Sequence, residues 1–227
     1  MPRRALAFAG ALAMLFVALT GPLGDLAGTF LFSAHMAQHL VLTMVVPPLL
    51  LVAMPPWLLR PLLRGHTGRF AAVLTRAVVA FVVSAAVLVV WHVPLFYNAA
   101  VAMPALHAVM HTSLVGSWLL GWWPLMSQLP ELPRLHYGAR LLYLFLLGAP
   151  MVAVSAFVAL ANDPLFPHYA AAPRLWGLSP LEDQRLGGVL MWTLSHIGFA
   201  IPFSVIFFQW ARAEADGDEP AADAAGR

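Results

Sequence analysis

Long uninterrupted apolar runs alternate with short connectors rich in Pro and Gly along almost the whole chain. The runs fall at Ala5–Thr20, Phe30–Val52, Phe70–Trp91, Met103–Trp123, Arg140–Ala161 and Leu186–Trp210. Each comes close to the roughly 20 apolar residues that cross about 30 Å of hydrocarbon. They are continuous rather than alternating, which predicts helices and argues against a β-barrel. Connectors such as "GPLGDLAG", "HVPLFYNAAVA" and the long "NDPLFPHYAAAPRLWGLSPLEDQR" carry the residues at which helices stop. The pattern predicts an all-α fold, a polytopic membrane helix bundle of about six transmembrane helices, forming one domain over residues 1–212. An acidic, Ala-rich tail over residues 213–227 is expected to be disordered. "MPRR" and the apolar run after it have the n- and h-regions of a signal peptide. The following "LTGPLGDLAG" lacks a small-x-small cleavage site, so the segment is read as a retained span.

Composition agrees: the 227 residues are 61% hydrophobic and only 10% charged, where soluble domains run near a quarter charged. A net charge of +2 on so apolar a chain gives no argument for nucleic acid. All twelve basic residues are Arg, and their placement orients the bundle. Ten lie at the termini or at the connectors after the second and fourth runs, and only Arg174 and Arg185 lie on the other side. The excess predicts that both termini are cytoplasmic. With no Cys in the chain, a soft-metal site has only His and Met to draw on.

In that topology His35 and His39 open the second helix, His92 closes the third, and His107 and His111 open the fourth. All five fall at the extracytoplasmic ends of three consecutive helices. "HMAQH" and "HAVMH" share the spacing H-x-x-x-H, which sets both imidazoles of a pair on one helix face within reach of one ion. Met36 and Met110 lie close to the same faces. Imidazole with thioether and without carboxylate suits copper, Cu(I) above all, whereas an all-imidazole set also accepts zinc. His92 is either a further ligand or a group supporting one. His196, near mid-membrane, is read as a polar bond between helices. His66, His136 and His168 are read as interfacial polar residues. Trp57, Trp91, Trp118, Trp122 and Trp123 are read as an aromatic belt, Met44, Met126 and Met151 as packing residues, and Pro47 and Pro48 as a kink.

The stretches "LFSAHMAQHLVLTMVVPPLLLVAMP", "WHVPLFYNAA", "LHAVMHTSLVGSWLLGWWPL" and "YAAAPRLWGLSPLEDQRLGGVLMW" resemble the multi-span CtaG family of cytochrome c oxidase assembly factors, in order, over roughly Leu23 to Trp192. The resemblance implies a non-enzymatic metallochaperone of a bacterial inner membrane that delivers copper to the CuB centre of a haem–copper oxidase. Its implied partners are the oxidase's largest subunit and an extracytoplasmic copper carrier. The matching histidines are His35, His39, His92, His107 and His111, and the matching "SPLEDQ" is Ser179 to Gln184. Asp183 is expected either to cap the last helix or to hydrogen-bond a ligand histidine. The chain departs from the family at Met110, where an acidic residue is common, and at "TLSHIG", where a Pro-Gly pattern is usual. A homodimer through Gly- and Ala-rich faces is compatible with the sequence, and membrane lipid is a partner throughout. A rival reading is a haem electron-transfer protein with His39 and His111 as axial ligands. A transporter using His196 is weaker, since no inverted repeat or broken-helix pair is evident.

Overall fold

The computed structural model describes residues 2–216. Helices form at all six apolar runs, and among the described residues there is no strand. In chain order the principal helices are α1 (Pro2–Leu19), α2 (Phe32–Ala53), α3 (Gly65–Leu74), α4 (Ala77–His92), α5 (Pro94–Ala102), α6 (Pro104–Met126), α7 (Tyr137–Ala159) and α8 (Pro180–Ala215). Four of them, α1, α2, α7 and α8, are long and apolar enough to cross a membrane, and a fifth span results if α3 and α4 count as one. The helix α6 has 23 residues, enough to span at 1.5 Å per residue, but its histidines, serines and tryptophans dilute its apolarity.

Two expected boundaries move. The third run is not one straight helix, because the chain turns by 74° between α3 and α4. Arg76 stands at that break in extended backbone and is exposed, whereas a straight helix would have carried its guanidinium into the apolar run. The last helix begins at Pro180, six residues before the apolar run, because Ser179 and Glu182 form a reciprocal capping box. It also runs through Ala215, so residues 213–215 are helix rather than tail, and the expected disorder of residues 217–227 lies outside the described residues.

Pro47 and Pro48 act differently from a simple kink. The turn Val41–Val45 widens into a π-helical turn just before them. Pro47 has no N–H to give the Thr43 carbonyl four residues back, and the Trp122 indole on α6 donates to that oxygen instead, at 2.9 Å. The bond pins α2 to α6. Trp118 and Trp122 are therefore buried core residues, at 1% and 2% exposure, and not members of an interfacial belt. Trp91 donates to the Ser113 hydroxyl at 2.8 Å and joins α4 to α6, while Trp57 is exposed as a belt residue would be.

Close crossings depend on small residues. A Cβ on Gly188 of α8 would lie 2.7 Å from the Ala159 backbone nitrogen of α7, and one on Gly187 would lie 2.5 Å from the Phe32 ring of α2. Backbone cannot yield as a flexible side chain can. Gly188→Ala is expected to lower the unfolding midpoint of the purified protein in detergent, by about 1–3 kcal/mol of stability, as overpacking does. An unchanged midpoint would show that the α7–α8 crossing has slack.

Candidate metal centre

The site is assembled from the ends of three helices that meet at one end of the bundle. His35 and His39 lie in the first turns of α2 with 0% and 3% exposure, and His92 is the last residue of α4 with 2%. His107 and His111 lie in the first turns of α6 and are partly buried. The spacing of four brings each pair together, with ring centroids 4.4 Å apart in both. Between helices, His35 lies 5.1 Å from His107 and 5.5 Å from His111, while His39 lies 5.4 Å from His111 and 5.5 Å from His92. Donor atoms of His35, His39 and His111 all fall within 4.8 Å of one another.

Hydrogen bonds decide which ring nitrogens are available. The Tyr169 hydroxyl donates its single proton to the Ala27 carbonyl at 2.7 Å. Its oxygen must then accept from His35 Nδ1, also at 2.7 Å, so in neutral His35 the lone pair sits on Nε2. By the same logic His92 Nδ1 donates to the Leu88 carbonyl at 2.7 Å and leaves Nε2 bare. His92 Nε2, His107 Nε2, His111 Nε2 and His39 Nδ1 are buried with no hydrogen-bond partner among the described residues. Leaving such a group unpaired costs about 1–3 kcal/mol. His39 Nε2–H therefore donates to His35 Nε2 at 2.8 Å, which leaves the lone pair of neutral His39 on Nδ1. Metal–nitrogen bonds of about 2.0–2.1 Å at tetrahedral angles hold neighbouring ligand nitrogens about 3.3 Å apart, so the two rings would have to part by about half an ångström to share an ion. The donor set fits a soft or borderline ion bound by neutral imidazoles.

The helix carrying the first pair is held from the far end of the sequence. Asp183, on the first turn of α8 and 1% exposed, accepts from the Phe32 and Ser33 backbone N–H groups at 2.7 and 3.1 Å and from the Ser33 hydroxyl at 2.5 Å. It thus caps α2 rather than α8, and it bonds no histidine. Gln184 beside it accepts from the Leu165 N–H at 2.6 Å and donates to the Val158 carbonyl at 3.2 Å, tying the long loop to the end of α7.

Tyr169 and Tyr97 are the participants that residue types alone did not single out. Tyr169 sits in a short helix of the long loop, Pro167–Ala171, and Tyr97 on α5 donates to its hydroxyl at 3.3 Å. The signal was present, since both lie inside the motifs "YAAAPRLWGLSPLEDQR" and "WHVPLFYNAA". Met36 and Met110 are fully buried, and Met36 packs toward Gly187 of α8. His196 makes no bond between helices: it is exposed, and its Nδ1 donates to the Trp192 carbonyl of its own helix at 2.6 Å. His168 donates to the Gly28 carbonyl at 3.0 Å, and His136 caps α7.

The two candidate axial ligands of a haem, His39 and His111, stand 5.4 Å apart at 86°, with His35 4.4 Å from the first and 5.5 Å from the second.

The family model of the cytochrome c oxidase caa3 assembly factors matches residues 1–213. The chain belongs to this family. Among curated proteins, an uncharacterised protein of Mycobacterium bovis and one of Mycobacterium tuberculosis are each 27% identical over 209 residues, which is 82% of this chain and 31% of theirs. An uncharacterised protein of Mycobacterium leprae is 28% identical over 224 residues, 89% of this chain and 33% of its own. The chain thus spans about a third of the length of these relatives. No solved structure matches it significantly.

Proposed function

We propose that the protein is a membrane-embedded copper-binding assembly factor that inserts copper into the CuB centre of a haem–copper cytochrome c oxidase. The observation that carries this reading is the convergence of five imidazoles from three helices, four of them with buried ring nitrogens that have no partner among the described residues. Membership of an oxidase assembly-factor family supports an oxidase as the destination. In this reading the bundle spans a bacterial inner membrane six times with both termini cytoplasmic, and the histidines face outward. Copper, as Cu(I), is the cargo: an extracytoplasmic carrier hands it over, His35, His39, His107 and His111 hold it, and the largest oxidase subunit takes it by ligand exchange. His92, whose Nε2 is bare and whose ring lies 5.5 Å from that of His39, completes the set, and Met36 and Met110 are the candidate thioether donors.

Neutral imidazoles bind without the tenacity of thiolates, which suits a site that must release its ion. A proton competes for the same lone pair, so the sign is fixed: affinity falls as pH falls through the imidazole range. The purified full-length protein, loaded with Cu(I) and desalted, is expected to retain copper at pH 7.5 with no Soret band, and to release it progressively toward pH 5. Metal analysis and absorbance check both. Failure to retain copper at neutral pH, or retention that does not respond to acid, would sink the reading. A Soret band in protein as isolated would favour the haem alternative instead.

A further inference from the structure

A second polar site lies at the other end of the bundle, at the far ends of the same helices α2 and α6 that begin with the histidines. From His35 to Val52 along α2 the rise is about 25 Å at 1.5 Å per residue. A cavity of about 520 Å³ opens there, lined by Arg3, Arg4, Arg134 and Arg140 and by no carboxylate among the described residues. Its remaining wall is mostly apolar, from Val52, Leu125 and Met126 on one side and Pro202, Val205 and Ile206 on the other.

Arginines at the cytoplasmic ends of helices ordinarily face water and serve only to orient the chain. Arg140 does not fit that description. It is 4% exposed, its Nε is buried with no partner among the described residues, and its other contacts are a 3.4 Å bond from Nη1 to the Leu125 carbonyl and the Tyr137 ring at 4.5 Å. The ion pair Arg60–Glu131 is elsewhere on the surface, so it neutralises none of the four. Of these, Arg4 is engaged by a neutral partner, the Gln128 side chain at 2.8 Å. A buried guanidinium without a counter-charge is expensive, and a planar fork of N–H donors matches the paired oxygens of a phosphate or a carboxylate.

We propose that this cavity binds the phosphate of an anionic lipid, with the headgroup held by Arg134 and Arg140 and an acyl chain lying along the apolar wall. Four positive charges with an apolar wall suit an amphiphile, and basic pockets between membrane helices on the cytoplasmic side are where such headgroups bind. The lipid would knit the start of α1, the end of α2, the end of α6, the start of α7 and the second half of α8 into one unit.

The test is retention of lipid by the full-length protein, measured by native mass spectrometry after release from detergent micelles. Phosphatidylglycerol, phosphatidylcholine and inorganic phosphate are offered in turn. We expect phosphatidylglycerol to stay bound and phosphatidylcholine to be lost. Arg134→Gln/Arg140→Gln should weaken retention about tenfold or more, at roughly 1 kcal/mol or above for each arginine. Because Arg140→Gln affects a buried residue, Arg3→Gln/Arg134→Gln serves as a second variant at exposed positions, where a severalfold loss is expected in a protein of unchanged helicity. Equal retention of both lipids, or variants that bind as wild type does, overturns the proposal. Binding of inorganic phosphate without lipid preference reassigns the cavity to a free anion. Lipid binding that emerges only after Asp218→Asn/Glu219→Gln/Asp223→Asn reassigns it to the chain's own acidic tail.

Discussion

Asp183→Ala is expected to destabilise the bundle by about 3–5 kcal/mol and to remove copper binding without touching a histidine. The carboxylate is buried and takes three donors at the start of α2, so its loss leaves two backbone N–H groups and a hydroxyl facing an apolar interior. His35 follows Ser33 by two residues, so disorder in that first turn reaches the metal ligands directly. Asp183→Asn keeps an acceptor but not the charge that favours a helix N-terminus, and its effect should be about a third to a half as large. Unfolding midpoints in detergent micelles and Cu(I) retention, measured on the same preparations, check the pair. If Asp183→Ala unfolds as wild type does, the carboxylate is not what holds the metal-bearing helix.

His35→Ala should have the largest effect on copper itself. Its ring is fully buried and lies within about 5.5 Å of His39, His107 and His111, so its loss opens the middle of both pairs. Competition against a Cu(I) chelator is expected to show a loss of more than about 100-fold, beyond the 10–100-fold typical of groups that orient a ligand. Tyr169→Phe falls in that lesser class. It preserves the aromatic packing against Phe32 but removes the oxygen that accepts from His35 Nδ1, so the tautomer is no longer held. The ordering His35→Ala far below Tyr169→Phe, with His66→Ala unchanged, is the signature of the cluster. Equal affinities across the three would mean that copper binds elsewhere.

The helices and the histidine cluster were legible because their signals are local. A run of apolar residues reports its own helix, and H-x-x-x-H reports its own face, so His35 with His39 and His107 with His111 could be paired without any tertiary knowledge. What could not be read depends on partners distant in the chain. Asp183 follows Ser179 by four residues and looks like part of its own helix start, yet its acceptors serve α2, 150 residues away. Trp122 reads as an interfacial residue until the carbonyl orphaned by Pro47 is found beside it. His196 sits at a depth where a polar bond between helices is the economical guess, and its own helix supplies the acceptor. Arg76 belongs to the same apolar neighbourhood as the third span, and only a bend in the backbone lets it out.

The carboxylate that finishes α2 also sets an order of events during synthesis. Phe32 leaves the ribosome 151 residues before its acceptor does. At about 5–20 residues per second, that is on the order of ten to thirty seconds of translation. Throughout that interval the second helix has its histidines but not the carboxylate that caps it. If the cluster carries copper as proposed, loading would follow the synthesis of α8.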